Sequence, residues 1–202
     1  GCGEHGDVFT FLMKIENLTF PEALERLARR AGVKLEPAHR GETGRKDVLA
    51  EINSLAAAYY SDLLKKNAAA LEYLHQRGLA DQTIEQFRLG YAAHEWDGFF
   101  QHFDKKAGQV KDAIEAGLIV KNEEGRCYDR LRHRIIFPIL DIQERIVGFG
   151  GRAFGDDQPK YLNSPDTPLF SKTRSLYGLN LARKSITEDI GAIVVEGYID
   201  TE

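Results

Sequence analysis

The apolar residues of this chain change their spacing part-way along it, and that change limits what it can fold into. Between Val48 and Leu63 they recur at helical intervals, as Leu49, Ile52, Leu55, Ala56, Tyr59, Tyr60 and Leu63. From Leu118 onward they form short runs divided by turn residues. Residues 118–121 and 126–131 flank Asn122-Glu123-Glu124-Gly125, and residues 134–140 and 145–149 flank a second turn at 141–144. The pattern predicts an α+β fold with a helical N-terminal half and a mostly antiparallel sheet in the second half. Pro138 inside one run predicts an edge strand or a bulge.

Local signals refine the helical half. Residues 8–15 have a helix-like apolar spacing. Thr19-Phe20-Pro21-Glu22 has the T-x-x-E spacing of a capping box, so a helix should follow, with Ala23, Leu24, Leu27 and Ala31 inward and an end near Gly32. Residues 36–47, EPAHRGETGRKD, read as a linker or exposed loop. A helix over 68–77 should stop at Gly78, and Asp81 should cap another reaching Phe87, which makes this half a small helical bundle. Residues 175–185 read as helix. Ile193-Val194-Val195 reads as a short apolar strand running into Glu196-Gly197-Tyr198-Ile199-Asp200, the way α/β folds present a carboxylate at a strand's C-terminal end.

Composition narrows the class. With 43% hydrophobic and 29% charged residues in 202, the chain is globular rather than disordered or collagen-like. Its two cysteines, Cys2 and Cys127, exclude a disulfide-stapled scaffold and fit a reducing, cytoplasmic setting. No run approaches 18 apolar residues and there is no signal peptide, so no membrane role is expected. The chain begins Gly1-Cys2-Gly3 and stops soon after the apolar run at 193–195, which reads as an internal piece of a longer protein. The net charge of −4 hides an uneven spread: residues 126–184 hold 11 Lys/Arg against 6 Asp/Glu. A basic middle in an acidic chain suggests an anion-binding face.

Gly148-Phe149-Gly150-Gly151-Arg152-Ala153 fits G-x-G-x-x-A on paper. A dinucleotide fingerprint needs a helix immediately after it, whereas the next residues, Phe154-Gly155-Asp156-Asp157, read as a turn. The glycines are better read as letting a strand bend or another backbone approach. Downstream, Lys160-Tyr161-Leu162-Asn163-Ser164-Pro165 and Phe170-Ser171-Lys172 join Arg152 in a short segment that mixes cations, an aromatic and polar donors. Such a mixture suits phosphates plus an unstacked base.

Several phrases, in order, make the chain resemble the bacterial DNA primase family of the DnaG type: GCGEHGDVFTFLM (1–13), YLHQRGL (73–79), DRLRHRIIFPI (129–139), IVGFGGR (146–152), KYLNSP (160–165), LYGL (176–179) and VVEGYID (194–200). The resemblance implies four segments: residues 1–36 as the tail of a zinc-binding domain, 37–46 as a linker, 47–190 as the N-terminal subdomain of the RNA polymerase domain, and 191–202 as the start of a TOPRIM domain. It implies a nucleotidyltransferase that lays down short RNA primers on single-stranded DNA during replication. Cys2 matches one of four zinc ligands. Glu196 matches the TOPRIM glutamate, both catalytic and a ligand for Mg²⁺ or Mn²⁺. Arg77, Arg130, Arg152, Lys160, Tyr161 and Lys172 match positions devoted to template or nucleotide. Arg132 and Arg134 are secondary candidates: if DRLRHR is a strand, they share one face with Arg130. The implied partners are single-stranded DNA, ribonucleoside triphosphates and the replicative helicase, the last through a domain outside this chain. With one zinc ligand and one TOPRIM carboxylate, the chain is expected to bind nucleic acid or nucleotide without holding zinc or priming by itself. The alternatives are a non-catalytic single-strand-binding module and another TOPRIM enzyme.

Overall fold

A computed structural model describes residues 6–33, 42–102, 107–187 and 192–201. The chain divides into two compact units, Gly1–Arg45 and Lys46–Glu202. In the first, α1 (Val8–Ile15) and α2 (Phe20–Ala31) meet through the Phe9 and Phe20 rings, 5.4 Å apart. Asp7 caps α1 by accepting the Thr10 N–H at 2.9 Å. The expected capping box opens α2, with the Thr19 N–H donating to Glu22 at 2.7 Å, and Gly32 closes it at φ 67°. The inward alanines are Ala23 and Ala28; Ala31 is exposed, because the buried stripe ends a turn earlier than its spacing suggested.

The second unit is built around an antiparallel sheet. In chain order its elements are α3 (Glu42–Lys66, entering from the first unit's last residues), α4 (Ala68–Gln76), α5 (Asp81–Gln86), β1 (Gly90–Ala92), α6 (Gly98–His102), α7 (Ala107–Glu115), β2 (Ile119–Lys121), β3 (Cys127–Asp129), β4 (Arg134–Leu140), β5 (Ile146–Ala153), β6 (Tyr161–Asn163), α8 (Leu179–Thr187) and α9 (Tyr198–Thr201). The main sheet runs β1-β4-β5-β6, and β2 and β3 form a separate hairpin. Both predicted hairpins are present, with Gly125 and Glu144 in left-handed conformations at their turns.

The main sheet is buried on both faces, which is why Ile135-Ile136-Phe137 reads as an unbroken apolar run. On one face Ala92, Ile136 and Phe149 pack with Leu49, Ile52, Ala56 and Tyr60 of α3. On the other, Tyr91, Ile135 and Phe137 pack with Leu74, Leu79 and Ile84 around α4 and α5. The helices are therefore not a self-contained bundle, since their core is the sheet itself. Gly90 allows this closeness: a Cβ there would lie 2.6 Å from Tyr60 Cβ. Pro138 is tolerated because β1 pairs only with residues 134–136 of β4, and the ladder shifts register just beyond it, between Ile139 and Leu140.

Four further expectations are corrected. Residues 42–47 of the expected linker are helical, and residues 34–41 lie outside the described residues. Ala80, not Asp81, is the residue before α5, and Asp81 sits in its first turn. The helix expected over 175–185 is α8, shifted to Leu179–Thr187 because 172–178 is occupied by turns ending at Gly178. Residues 193–195 do not form a strand: no described strand pairs with them, and Ile193 is 93% exposed. An apolar strand is stable where neighbours supply its ladder and cover, and none of the described strands does so here.

Asp129 ties the hairpin to the helices. Its carboxylate accepts the Phe99 and Phe100 N–H groups at 2.7 and 3.0 Å, capping α6 from 30 residues away. Burial outweighs these hydrogen bonds and pushes its pKa up to about 6. Because the ionised form is disfavoured in the folded state, this group's contribution should decline as pH rises from about 4 through about 6. Asp129→Asn should flatten that decline in urea titrations across the window. Asp129→Ala should lower stability by about 2 kcal/mol, because one buried and one half-buried N–H group lose their acceptor.

Gly150 faces the same side of β5 as Arg152, and a Cβ there would lie 2.4 Å from the Tyr198 ring. Gly150→Ala should displace Tyr198 and destabilise the fold by about 1–3 kcal/mol, read as a lower urea midpoint. The same variant should leave the residue 192–201 segment more open to proteolysis than wild type.

Candidate nucleic-acid interface

Sheet register gathers several expected site residues on one face. Arg152 on β5 lies directly opposite Tyr161 on β6, and Gly150 opposite Asn163. Period-two alternation therefore puts Arg152, Tyr161 and Asn163 on the side that carries Ile135 and Phe137. The Arg152 guanidinium lies 5.1 Å from the Tyr73 ring centre, and Arg77, just after α4, lies 5.4 Å from it. Tyr73 thus brings two cations against its ring. Lys160 is exposed, 5.9 Å from the centre of the Tyr161 ring, which is itself 46% exposed.

Beside this group is a cleft of about 610 Å³ whose lining includes Tyr161, Asn163, Lys172, Glu196, Tyr198 and Asp200. Its far wall is the 196–200 segment, fixed by aromatic packing. Tyr198 stacks on Phe137 at 5.0 Å and 12°, meets Tyr177 edge-on at 4.9 Å, and donates its hydroxyl to Asn163 Oδ1 at 2.8 Å. Burial pushes the Tyr198 hydroxyl up to about 12, so it stays a donor at neutral pH. The glycines of β5 make room for this wall. Gly148 and Gly150 admit side chains, since a Cβ on Gly148 would crowd Phe170 at 3.0 Å and one on Gly150 would crowd Tyr198, while a Cβ on Gly151 would also meet the Leu162 backbone oxygen at 3.2 Å.

Arg130, Arg132 and Arg134 do not share a strand face. Arg130 and Arg132 lie in the connection between β3 and β4, where His133 at φ 47° breaks the alternation. The Arg130 N–H donates to Leu118 O at 2.8 Å and its Nε is buried without a hydrogen-bond partner. Arg132 stacks on Trp96 at 4.4 Å and donates to the Asp129 carbonyl. Arg134 is buried and donates to Pro159 O at 2.7 Å, supporting the loop that leads to Lys160. These three arginines lie apart from the cleft lining.

Two carboxylates reach the cleft, oxygen donors of the kind a magnesium-type cation takes. Glu196 and Asp200 both line the cleft, and the space a Cβ on Gly197 would fill is taken by the Asp200 carboxylate, 2.5 Å from that position. Magnesium is commonly held by one or two carboxylates together with substrate phosphates. Cys2 lies outside the described residues, and Cys127 is a half-buried free thiol on β3. Tyr73, Asn163 and Tyr198 were not singled out from sequence. Asn163 was accessible, since it stands two residues from Tyr161, whereas Tyr73 and Tyr198 are placed by contacts distant in the chain.

Residues 59–183 match the family model of the DNA primase catalytic core, N-terminal domain, and residues 1–43 match that of the CHC2 zinc finger. A DNA primase of Deinococcus radiodurans is 46% identical over 201 residues, which is 99% of this chain and 34% of the relative. A structure described as the DnaG primase catalytic domain bound to ssDNA is 39% identical with a TM-score of 0.73, covering 78% of this chain and 52% of that one. The Aquifex aeolicus primase, with zinc-binding and RNA polymerase domains, is 33% identical with a TM-score of 0.71, covering 99% of this chain and 49% of that one. The chain spans about a third of the length of the curated relatives it matches. With the catalytic-core model covering more than half of its residues, the chain belongs to the DNA primase family.

Proposed function

We propose that this chain is the template- and nucleotide-holding portion of a DNA primase, an RNA polymerase that makes short primers on single-stranded DNA. The observation that carries the reading is the cross-strand Arg152–Tyr161 pair, with Lys172 lining the same cleft as Glu196 and Asp200. A lysine, a ring and carboxylates in one cleft, with further cations beside it, are what a nucleoside triphosphate and a strand need: charge for phosphates, a ring face for a base, acids for a metal.

In this reading Arg77, Arg152, Lys160 and Lys172 bind phosphate oxygens, and Tyr161 stacks on a base or shapes its pocket. Tyr198 is a positioning residue that keeps the Glu196–Asp200 segment facing the cations. Glu196 and Asp200 would hold Mg²⁺ or Mn²⁺, which when bound stabilises charge on attacking and leaving phosphate oxygens. Arg130, away from the cleft, would reach nucleic acid only as a peripheral contact. Residues 1–36 belong with a zinc-binding domain in which Cys2 is a ligand, and residues from 191 open a TOPRIM domain. Ribonucleoside triphosphates are the substrates, and a replicative helicase engages the intact protein elsewhere. With two carboxylates in the cleft, this chain by itself binds without priming.

Two outcomes test this. Lys160→Ala should weaken single-stranded DNA or triphosphate binding by about fivefold or more. It should also flatten the log affinity against log salt slope for single strands by about 0.7. Fluorescence anisotropy over a salt series, with labelled DNA and separately with labelled triphosphate, measures both, and unchanged affinity and slope for both ligands would remove Lys160 from the interface. In the intact protein, Glu196→Gln should cut primer synthesis by roughly 100-fold or more while DNA affinity is retained, since the lost charge acts at the metal. Normal priming by that variant would overturn the role given to Glu196.

A further inference from the structure

Away from the cleft, three metal-ligating side chains converge from three segments. We propose that His94, His133 and Asp157 form a binding site for a divalent transition-metal ion of the zinc type, distinct from the carboxylates of the cleft. One ligand atom from each lies within 4.8 Å of the other two. His94 follows β1, His133 precedes β4, and Asp157 lies in the loop between β5 and β6.

His133 organises the group. Its left-handed backbone, at φ 47°, lets its N–H donate to Ala93 O at 2.9 Å while its carbonyl accepts the Phe154 N–H at 2.9 Å. One residue is thereby pinned to the exits of β1 and β5, the neighbours of His94 and Asp157 in the chain. Its ring meets Phe154 edge-on at 5.5 Å, which supports the imidazole, and lies 5.0 Å from the His94 ring. On its polar side, Nδ1 lies 2.8 Å from Asp157 Oδ2. The side chains remain reachable, 26% exposed for His133 and 46% for Asp157.

The donor set selects the ion. Two imidazole nitrogens and one carboxylate are a zinc set that leaves a fourth position for water. Magnesium and calcium prefer all-oxygen surroundings, so the imidazoles favour zinc, cobalt or nickel. Tetrahedral bonds of about 2.0–2.1 Å would bring the ligand atoms to roughly 3.3 Å from one another. Rotation of the exposed His94 and Asp157 side chains supplies the adjustment. An ion here would fasten the β5–β6 loop, which ends at Lys160 and Tyr161, to the ends of β1 and β4. Arg134 already holds that loop from its other side through Pro159 O, at 2.7 Å.

The test uses the full chain carrying Cys2→Ser, which removes the N-terminal sulfur ligand. Titration with Co²⁺ should give one equivalent bound, with tetrahedral visible absorption that Zn²⁺ displaces. Zn²⁺ should also raise the melting temperature, because the ion binds the folded state. His94→Ala and Asp157→Asn alter exposed side chains. Each should keep the wild-type circular dichroism spectrum and weaken metal binding by about tenfold or more. An intense thiolate-to-cobalt band would assign the metal to a cysteine and overturn the site. So would failure of the Cys2→Ser chain to bind metal in large excess, or binding by the two variants as tight as that of the chain with His94 and Asp157 intact. The group would then be an imidazole–carboxylate hydrogen bond beside a second histidine.

Discussion

Gly148 and Gly150 lie on one face of β5, and that face must accept two aromatic rings from later in the chain. Phe170 presses on the first, where a methyl group would be crowded, and Tyr198 on the second, where none fits unless the ring moves. Tyr198 in turn lies flat on Phe137, in the middle of β4 on one side of β5, and bonds to Asn163 on β6 on the other side. A single close approach therefore joins three strands to a segment that has no ladder of its own. Glu196 and Asp200 owe their position over the sheet to it.

The same face keeps its cations and its acids apart. Arg77 and Arg152 are held against Tyr73, and Lys160 near Tyr161, so aromatic rings rather than carboxylates occupy their immediate surroundings. An arginine stacked on a ring keeps its donors available, whereas one locked to a carboxylate does not. Arg134 shows the alternative. It is buried and committed to the Pro159 carbonyl, and it serves the scaffold.

What could be read from sequence was what is encoded within a few residues. The Thr19–Glu22 box, the Gly32 and Gly78 helix ends and the two hairpin turns all formed where expected, because each signal acts over one turn of chain. The glycine run of β5 was recognisably special, but its reason lies at Phe170 and Tyr198, tens of residues away. The apolar run at 193–195 announced a need for burial without naming what would meet it. The α+β division and the primase family were legible. Arg152, Tyr161, Lys172 and Glu196 were singled out from sequence, and sheet register and the cleft bring them together; the tyrosines that hold the interface were not singled out.

The DRLRHR segment shows why alternation misled. Read at period two, its arginines should line one strand face, yet three backbone demands fall within it. Asp129 must turn its carboxylate to the start of α6, Arg130 must bond to Leu118, and His133 must bridge the exits of β1 and β5. No single extended conformation meets all three. The chain resolves the conflict by placing a non-glycine residue in the left-handed region, at an energetic cost that two backbone hydrogen bonds offset. That kink sets Arg134 apart from Arg130 and Arg132, and it carries the His133 ring to His94 and Asp157. Nothing in the local residue types announces it, because glycine is the default residue at a left-handed position and the segment contains none.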